Sequence, residues 1–247
     1  MGTTIRRAAA SQRRDSFLPV VFPASVNLMR SAMRSFVKRA APRLLQYRAV
    51  GQLVTNEAYF LHTTGWVKSL VEQMPVDPQG NPLPWMNFAV IAFFRERLRT
   101  HMHLFEYGSG SSTRFFAELV ASVTSVEYDE EWYQRVSATR PANVELLLNA
   151  ADVDGTYCRV VAQSNRRYDV VVVDGRDRVN CMKQSVGSLT DGGVIVLDDS
   201  MRERYAEGAA FLKACCFRAL RFDGLKPGGF GTDSTTVFYR PGNCLDL

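Results

Sequence analysis

The segment His103-Leu104-Phe105-Glu106-Tyr107-Gly108-Ser109-Gly110-Ser111-Ser112-Thr113 decides the architecture. An apolar run ends in an acid, passes through a glycine-rich turn and opens into a helical pattern over Ser112–Ser122. A helix that starts there presents N–H groups without intrahelical partners to a polar or anionic ligand. Gly108 and Gly110 admit backbone geometry and a close ligand approach that side chains block. Ser112 stands where the usual G-x-G-x-G turn has its third glycine. The turn alone is not specific.

Its neighbours sharpen it. Ser122-Val123-Thr124-Ser125-Val126-Glu127 reads as a second strand ending in an acid, and Glu127 follows Glu106 by 21 positions. A carboxylate at that spacing suits the two hydroxyls of an adenosine ribose; capping of the helix at Glu130 is the alternative. Further on, Tyr168-Asp169-Val170-Val171-Val172-Val173-Asp174 carries four consecutive valines, the mark of a strand buried on both faces. Asp174 emerges at its carboxyl end, where open α/β sheets bind ligands. Val194–Leu197, preceded by Gly192-Gly193, delivers Asp198, Asp199 and Ser200 to the same edge, where helix capping is the competing role.

Strands are expected at His103–Tyr107, Val123–Glu127, Val144–Leu148, Asp169–Asp174 and Val194–Leu197, separated by helices at Ser112–Ser122, Glu130–Ala138, Gly155–Ala162, Val179–Leu189 and Met201–Cys215. This alternation implies an α/β fold: a three-layer, doubly wound, mostly parallel sheet with helices on both faces. Arg218–Phe222 and Thr235–Arg240 are joined without a helix, which suits an antiparallel pair at the sheet edge. Upstream, residues 55–74 and Trp85–Leu98 read as helices flanking a Pro/Gly-rich loop. The aromatic approach from Trp66 to Trp85 reads as core packing, or as a lid over an acceptor pocket.

A length of 247 residues fits one such domain with an extension, divided as 1–50 and 51–247 with the core near 100–240. With 46% hydrophobic and 22% charged residues, a packed core is expected and wholesale disorder is excluded. No apolar run reaches the roughly 18 residues of a membrane span. The net charge of +5 hides an asymmetry. Residues 1–50 hold ten Lys/Arg against Asp15 alone, whereas the rest holds 20 basic and 24 acidic residues. Ser25–Ala41 has a helical apolar stripe (Met29, Met33, Phe36, Val37, Ala40) beside Arg30, Arg34 and Lys38. That N-terminal helix suits packing on the domain, or peripheral contact with an anionic membrane. Five cysteines without C-x-x-C spacing read as reduced thiols in a cytoplasmic protein, and the three histidines show no metal-ligand pattern.

In the order and spacing of Glu106-x-Gly108-x-Gly110, Glu127, the Tyr168–Gly175 strand and Gly192-Gly193 before Asp198, the chain resembles class I (Rossmann-like) S-adenosylmethionine-dependent methyltransferases over roughly residues 85–240. The resemblance implies a seven-stranded sheet with a reversed last strand and S-adenosyl-L-methionine as cofactor. It implies that Glu106, Gly108, Ser109, Gly110, Ser111 and Ser112 form the methionine-side pocket. Glu127 would hold the ribose with Tyr128 against the adenine, and Asp152 (or Asn149) would contact the adenine. Asp174 would face the methyl donor and, with Asp198, assist deprotonation of the acceptor.

Asp174, Asp198 and Asp199 are also similar to the acidic set of metal-dependent O-methyltransferases, which would hold one Mg²⁺, but Asp198 and Asp199 are adjacent and point in different directions along an extended chain, which disfavours that set. Arg176 and Arg178 suit an anionic substrate or a solvated loop. The acceptor is expected to be a small molecule methylated at oxygen. Asp174-Gly175-Arg176-Asp177 lacks the Asn/Asp-Pro-Pro-aromatic signature of amino-directed DNA methyltransferases, there is no Pro-Cys nucleophile, and the body is acidic, so no nucleic-acid partner is expected. The competing readings are an NAD-dependent oxidoreductase, for which no Tyr-x-x-x-Lys set is found, and a non-catalytic ligand-binding domain. Oligomeric state is not legible.

Overall fold

The computed structural model describes residues 42–247. The expected helix at Ser25–Ala41 lies outside them. Leu53–Leu247 forms one compact unit, and residues up to Gln52 belong to another. Helices are α1 (Pro42–Thr55), α2 (Phe60–Thr63), α3 (Trp66–Glu72), α4 (Phe88–Arg97), α5 (Ser111–Ala117), α6 (Glu130–Ser137), α7 (Thr156–Gln163), α8 (Arg178–Ser185) and α9 (Ala206–Ala214). Strands are β1 (His103–Tyr107), β2 (Ser122–Glu127), β3 (Val144–Leu148), β4 (Tyr168–Val173), β5 (Leu189–Leu197), β6 (Arg218–Gly224) and β7 (Asp233–Tyr239).

These strands form one seven-stranded sheet in the order β3-β2-β1-β4-β5-β7-β6. The pairs β1–β2, β1–β4, β2–β3 and β4–β5 are parallel, while β7 runs antiparallel to both β5 and β6. The expected mostly parallel sheet with a reversed last strand is what forms. The reversal of β7 relative to β6 follows from their helix-free connection, which suits antiparallel neighbours.

The four valines divide between two cores. Val170 and Val172 face a cluster with Val90, Ile91 and Phe94 of α4 and Phe115 and Phe116 of α5. Val171 and Val173 face a second cluster with Tyr157 and Val161 of α7, Met182 of α8 and Leu212 of α9. All four are 0% exposed, and each contributes roughly 1.5–3 kcal/mol by burial. Period-two alternation on a strand covered by helices on both sides produces this split.

Several element bounds differ from the sequence reading for local reasons. The expected helix over residues 55–74 breaks at Gly65, which adopts φ +86 and sits so close to the loop that a Cβ would lie 2.3 Å from the Val76 carbonyl oxygen. The helix expected from Trp85 starts at Phe88, because Asn87 is extended and its side chain caps the Val90 N–H at 3.0 Å. Strand β5 begins at Leu189, five residues before Val194, with a register irregularity opposite Tyr168/Val170. The helix expected from Met201 starts at Ala206 after a 3-10 turn over Glu203–Tyr205. Among the described residues no helix is long and apolar enough to cross a membrane.

Candidate functional site

The carboxyl ends of β1, β2 and β4 and the connection after β5 surround a cavity of about 840 Å³. Gly108, Ser109, Ser112, Glu127, Tyr128 and Asp174 stand on its wall. The glycine-rich turn is pinned on both sides: Gly108 N–H donates to Val126 and Tyr107 O accepts from Asp174 N–H. Gly108 has φ +88, and a Cβ there would come within 3.2 Å of the Gly175 backbone, so the turns after β1 and β4 touch only because both residues are glycine. Gly110 needs no such freedom. Its φ of 161 is extended backbone, and a Cβ would meet only the Trp132 ring at 3.6 Å.

Glu127 is 3% exposed and fully engaged. Its Oε1 accepts from Tyr128 and Asp129 N–H at 2.8 and 3.0 Å, and its Oε2 accepts from Ser109 N–H and hydroxyl at 3.0 and 2.9 Å. Three of the four donors are backbone groups. Only the Ser109 hydroxyl can rotate away and release an acceptor position to a ligand.

Glu106 lies beneath the turn, fully buried and off the cavity wall. Its Oε2 accepts from the hydroxyls of Thr113 (2.6 Å) and Ser125 (3.0 Å), and Thr113 in turn receives the Gly110 N–H. Its Oε1 has no hydrogen-bond partner. Burial pushes the carboxyl up to about 7, outweighing the hydroxyls of Ser112, Thr113 and Ser125 around it. Ser111 opens α5 behind the turn.

Beyond Glu127 the wall becomes aromatic. Arg176 stacks over the Tyr128 ring at 4.8 Å and donates to its hydroxyl at 2.8 Å. Trp132, which the sequence reading passed over, donates its indole N–H to Ser109 O at 2.7 Å. An aromatic in the first turn of the helix after Glu127 was the available signal. Asp152 is used differently from the expected adenine contact. Its carboxylate accepts from Thr156 N–H, Tyr157 N–H and the Thr156 hydroxyl, capping α7, and these bonds hold it below the usual carboxylate range. It is not on the cavity wall. Asn149 accepts from the Thr156 hydroxyl at 3.0 Å.

The β4–β5 end of the rim is built on charge. Arg178 is 9% exposed and ties five groups together, the Gly175 carbonyl at 3.0 Å among them. It bonds Asp174 Oδ1 at 2.7 Å, the carbonyls of Asp174 and Asp198 at 2.8 and 2.6 Å, and faces Asp199 Oδ2 at 3.6 Å. It is therefore a buried structural cation and not the loop residue one reading of the sequence expected. Burial, partly offset by Arg178, pushes Asp174 up to about 6. Asp198, expected beside the acceptor, lies off the cavity wall and accepts from the Thr235 hydroxyl at 2.8 Å. Burial and the neighbouring Asp174 and Asp233 hold it well above the usual carboxylate range.

Asp198, Asp199 and Asp233 bring carboxylate oxygens within 4.8 Å of one another. Asp174 is not in that group. The Mg²⁺ set of Asp174, Asp198 and Asp199 does not fit, because the Arg178 guanidinium stands between Asp174 and Asp199 and Arg202 takes Asp199 Oδ2 at 2.7 Å. Asp233, also missed, carried no local signal: only the β6–β7 hairpin brings it here.

No protein-family model matches the chain, and no curated protein matches it. Solved structures do. A methyltransferase-like protein of Silicibacter pomeroyi is 27% identical, covering 65% of this chain and 90% of that one, with a TM-score of 0.47. A precorrin 8w decarboxylase of Methanobacterium thermoautotrophicum is 16% identical over 68% of this chain and 97% of its own, with a TM-score of 0.50. A putative methyltransferase of Streptococcus mutans, solved with S-adenosylhomocysteine, is 13% identical over 60% and 94%, with a TM-score of 0.43. With its strand order, reversed β7 and glycine-rich turn between β1 and α5, the chain has the Rossmann-like fold of class I S-adenosylmethionine-dependent methyltransferases.

Proposed function

We propose that this chain transfers the methyl group of S-adenosylmethionine to a small-molecule acceptor, at oxygen. The observation that carries the reading is Glu127: a carboxylate at the carboxyl end of β2, on the cavity wall, clamped to the glycine-rich turn through Ser109. The residues fit the cofactor on a second count. The glycine-rich turn stands on the same wall through Gly108, Ser109 and Ser112, whose backbone and hydroxyl groups suit the polar methionine end of the cofactor. In this reading Glu127 takes the ribose hydroxyls, Tyr128 and Trp132 flank the adenine, and Gly108, Ser109 and Ser112 line the path toward Asp174.

The bound sulfonium supplies an already activated methyl group, so the protein's task is alignment and proton removal. Asp174, on the cavity wall, would take the proton of the acceptor hydroxyl. Arg178 engages Asp174 Oδ1, and Asp174 stands on the cavity wall. With its carboxyl pushed up to about 6, Asp174 is ionised at neutral pH yet closer to the reaction in basicity than an exposed aspartate.

Calorimetry with S-adenosylhomocysteine and with NAD tests the reading. S-adenosylhomocysteine is expected to bind, and Glu127→Ala to weaken it roughly 10- to 100-fold, the worth of charge-assisted hydrogen bonds to a diol. NAD binding without S-adenosylhomocysteine binding would replace this reading with a dehydrogenase one. An unchanged affinity in Glu127→Ala would remove the residue from the site.

A further inference from the structure

Past Asp174 the cavity wall continues into the connection after β5, where Arg202, Arg204 and Tyr205 stand. Five arginines line the cavity in all, and three are answered by carboxylates. Arg135 pairs with Glu131, Arg178 with Asp174, and Arg202 with Asp199. Arg176 and Arg204 pair with no carboxylate among the described residues; each bonds a tyrosine hydroxyl instead and stacks on that ring.

Arg204 is the one beyond Asp174. Its Nη2 donates to the Tyr205 hydroxyl at 2.8 Å and its guanidinium lies 4.9 Å from the ring centroid. Tyr205 is itself 7% exposed and carries Arg178 over its ring at 5.3 Å. A buried ring therefore holds an exposed guanidinium in place, and stacking plus one hydrogen bond leaves its remaining N–H donors unused. Asp174 and Asp199, the carboxylates of this rim, are already committed, Asp174 to Arg178 and Asp199 to Arg202 and Arg178. The Arg204 charge is thus uncompensated within the protein at this end of the cavity.

We infer that Arg204 receives an oxyanion group, carboxylate or phosphate, of the methyl acceptor. This rests on the methyl-transfer reading for the identity of the ligand as an acceptor, but the anion site stands on the arginine geometry itself. A guanidinium fixed by stacking presents a planar fork to an oxyanion and loses little further freedom on binding it. A neutral acceptor would leave that fork facing water.

The test titrates the full chain with inorganic phosphate and, separately, with benzoate, at constant ionic strength, with and without saturating S-adenosylhomocysteine. At least one anion is expected to bind, and Arg204→Gln to weaken it at least tenfold, with partial recovery in Arg204→Lys. Arg176→Gln is expected to leave anion affinity unchanged, and Arg204→Gln to leave S-adenosylhomocysteine affinity unchanged. Phosphate binding without benzoate binding assigns a phosphorylated acceptor, and the reverse assigns a carboxylic acid. Anion binding that survives Arg204→Gln, or binding of neither anion, overturns the inference. A protein that ignores S-adenosylhomocysteine yet binds an anion through Arg204 loses the methyl-transfer reading and keeps this site.

Discussion

At the β1–β2 end of the rim, Glu106 and Glu127 are surrounded by hydroxyls and backbone N–H groups; at the β4–β5 end, Asp174 and Asp199 are held by Arg178 and Arg202, and Asp233 lies 3.8 Å from Lys226. The first arrangement uses neutral donors fixed by secondary structure. The second sets charge against charge, and each carboxylate there depends on a side chain that could be deleted. The difference predicts which end tolerates change. Neutral donors can lose one partner and re-form around water, whereas a buried carboxylate stripped of its guanidinium has no substitute.

The sharpest way to break the comparison is Arg178→Met, which keeps much of the volume and removes the charge. It is expected to cost about 3–5 kcal/mol in urea unfolding, the range for a buried pair with one partner removed. A loss below about 1 kcal/mol would mean that the carboxylates of the β4–β5 end do not depend on it.

Glu106→Gln probes the other end through pH. Burial raises the folded-state value of Glu106 from 4.5 to about 7, so folding favours the protonated acid. That contribution is fully present below pH 4.5 and is lost as pH rises through about 7, because the unfolded chain ionises first. Glutamine does not ionise. The variant is therefore expected to gain on the wild type between pH 4.5 and pH 8 by roughly 3 kcal/mol, read from parallel urea curves. A difference that stays flat with pH would place the ionised form in the folded protein throughout.

The smallest effect is expected from Asp152→Ala. Loss of the α7 cap lowers the thermal midpoint modestly while S-adenosylhomocysteine affinity stays as it was. A large loss of affinity with little loss of stability would restore Asp152 to the adenine site.

Strand-end positions were legible where chemistry and periodicity coincide. Glu106, Glu127 and Asp174 stand at the carboxyl ends of β1, β2 and β4, with Gly108 in the turn after β1, so their arrival at one edge of a parallel sheet follows from strand polarity alone. Asp152 and Asp198, expected in the site, stand off the cavity wall for a common reason. An acid just beyond a strand fits a ligand site and a cap or buried network equally well, and only three-dimensional neighbours choose between them. For Asp152 the choice was made by the start of α7, and for Asp198 by Thr235 on a strand 37 positions away.

Local order along the chain was therefore enough to establish alternating strands and helices, the reversed terminal pair, and the acids at the strand ends, because these depend on side-chain periodicity and connection length. Which arginine answers which carboxylate was settled by packing alone. Arg178, Arg202 and Arg204 lie in loops or first turns whose sequence carries no periodicity. Their charges acquire distinct roles only through the carboxylates and the buried Tyr205 ring that the fold sets against them.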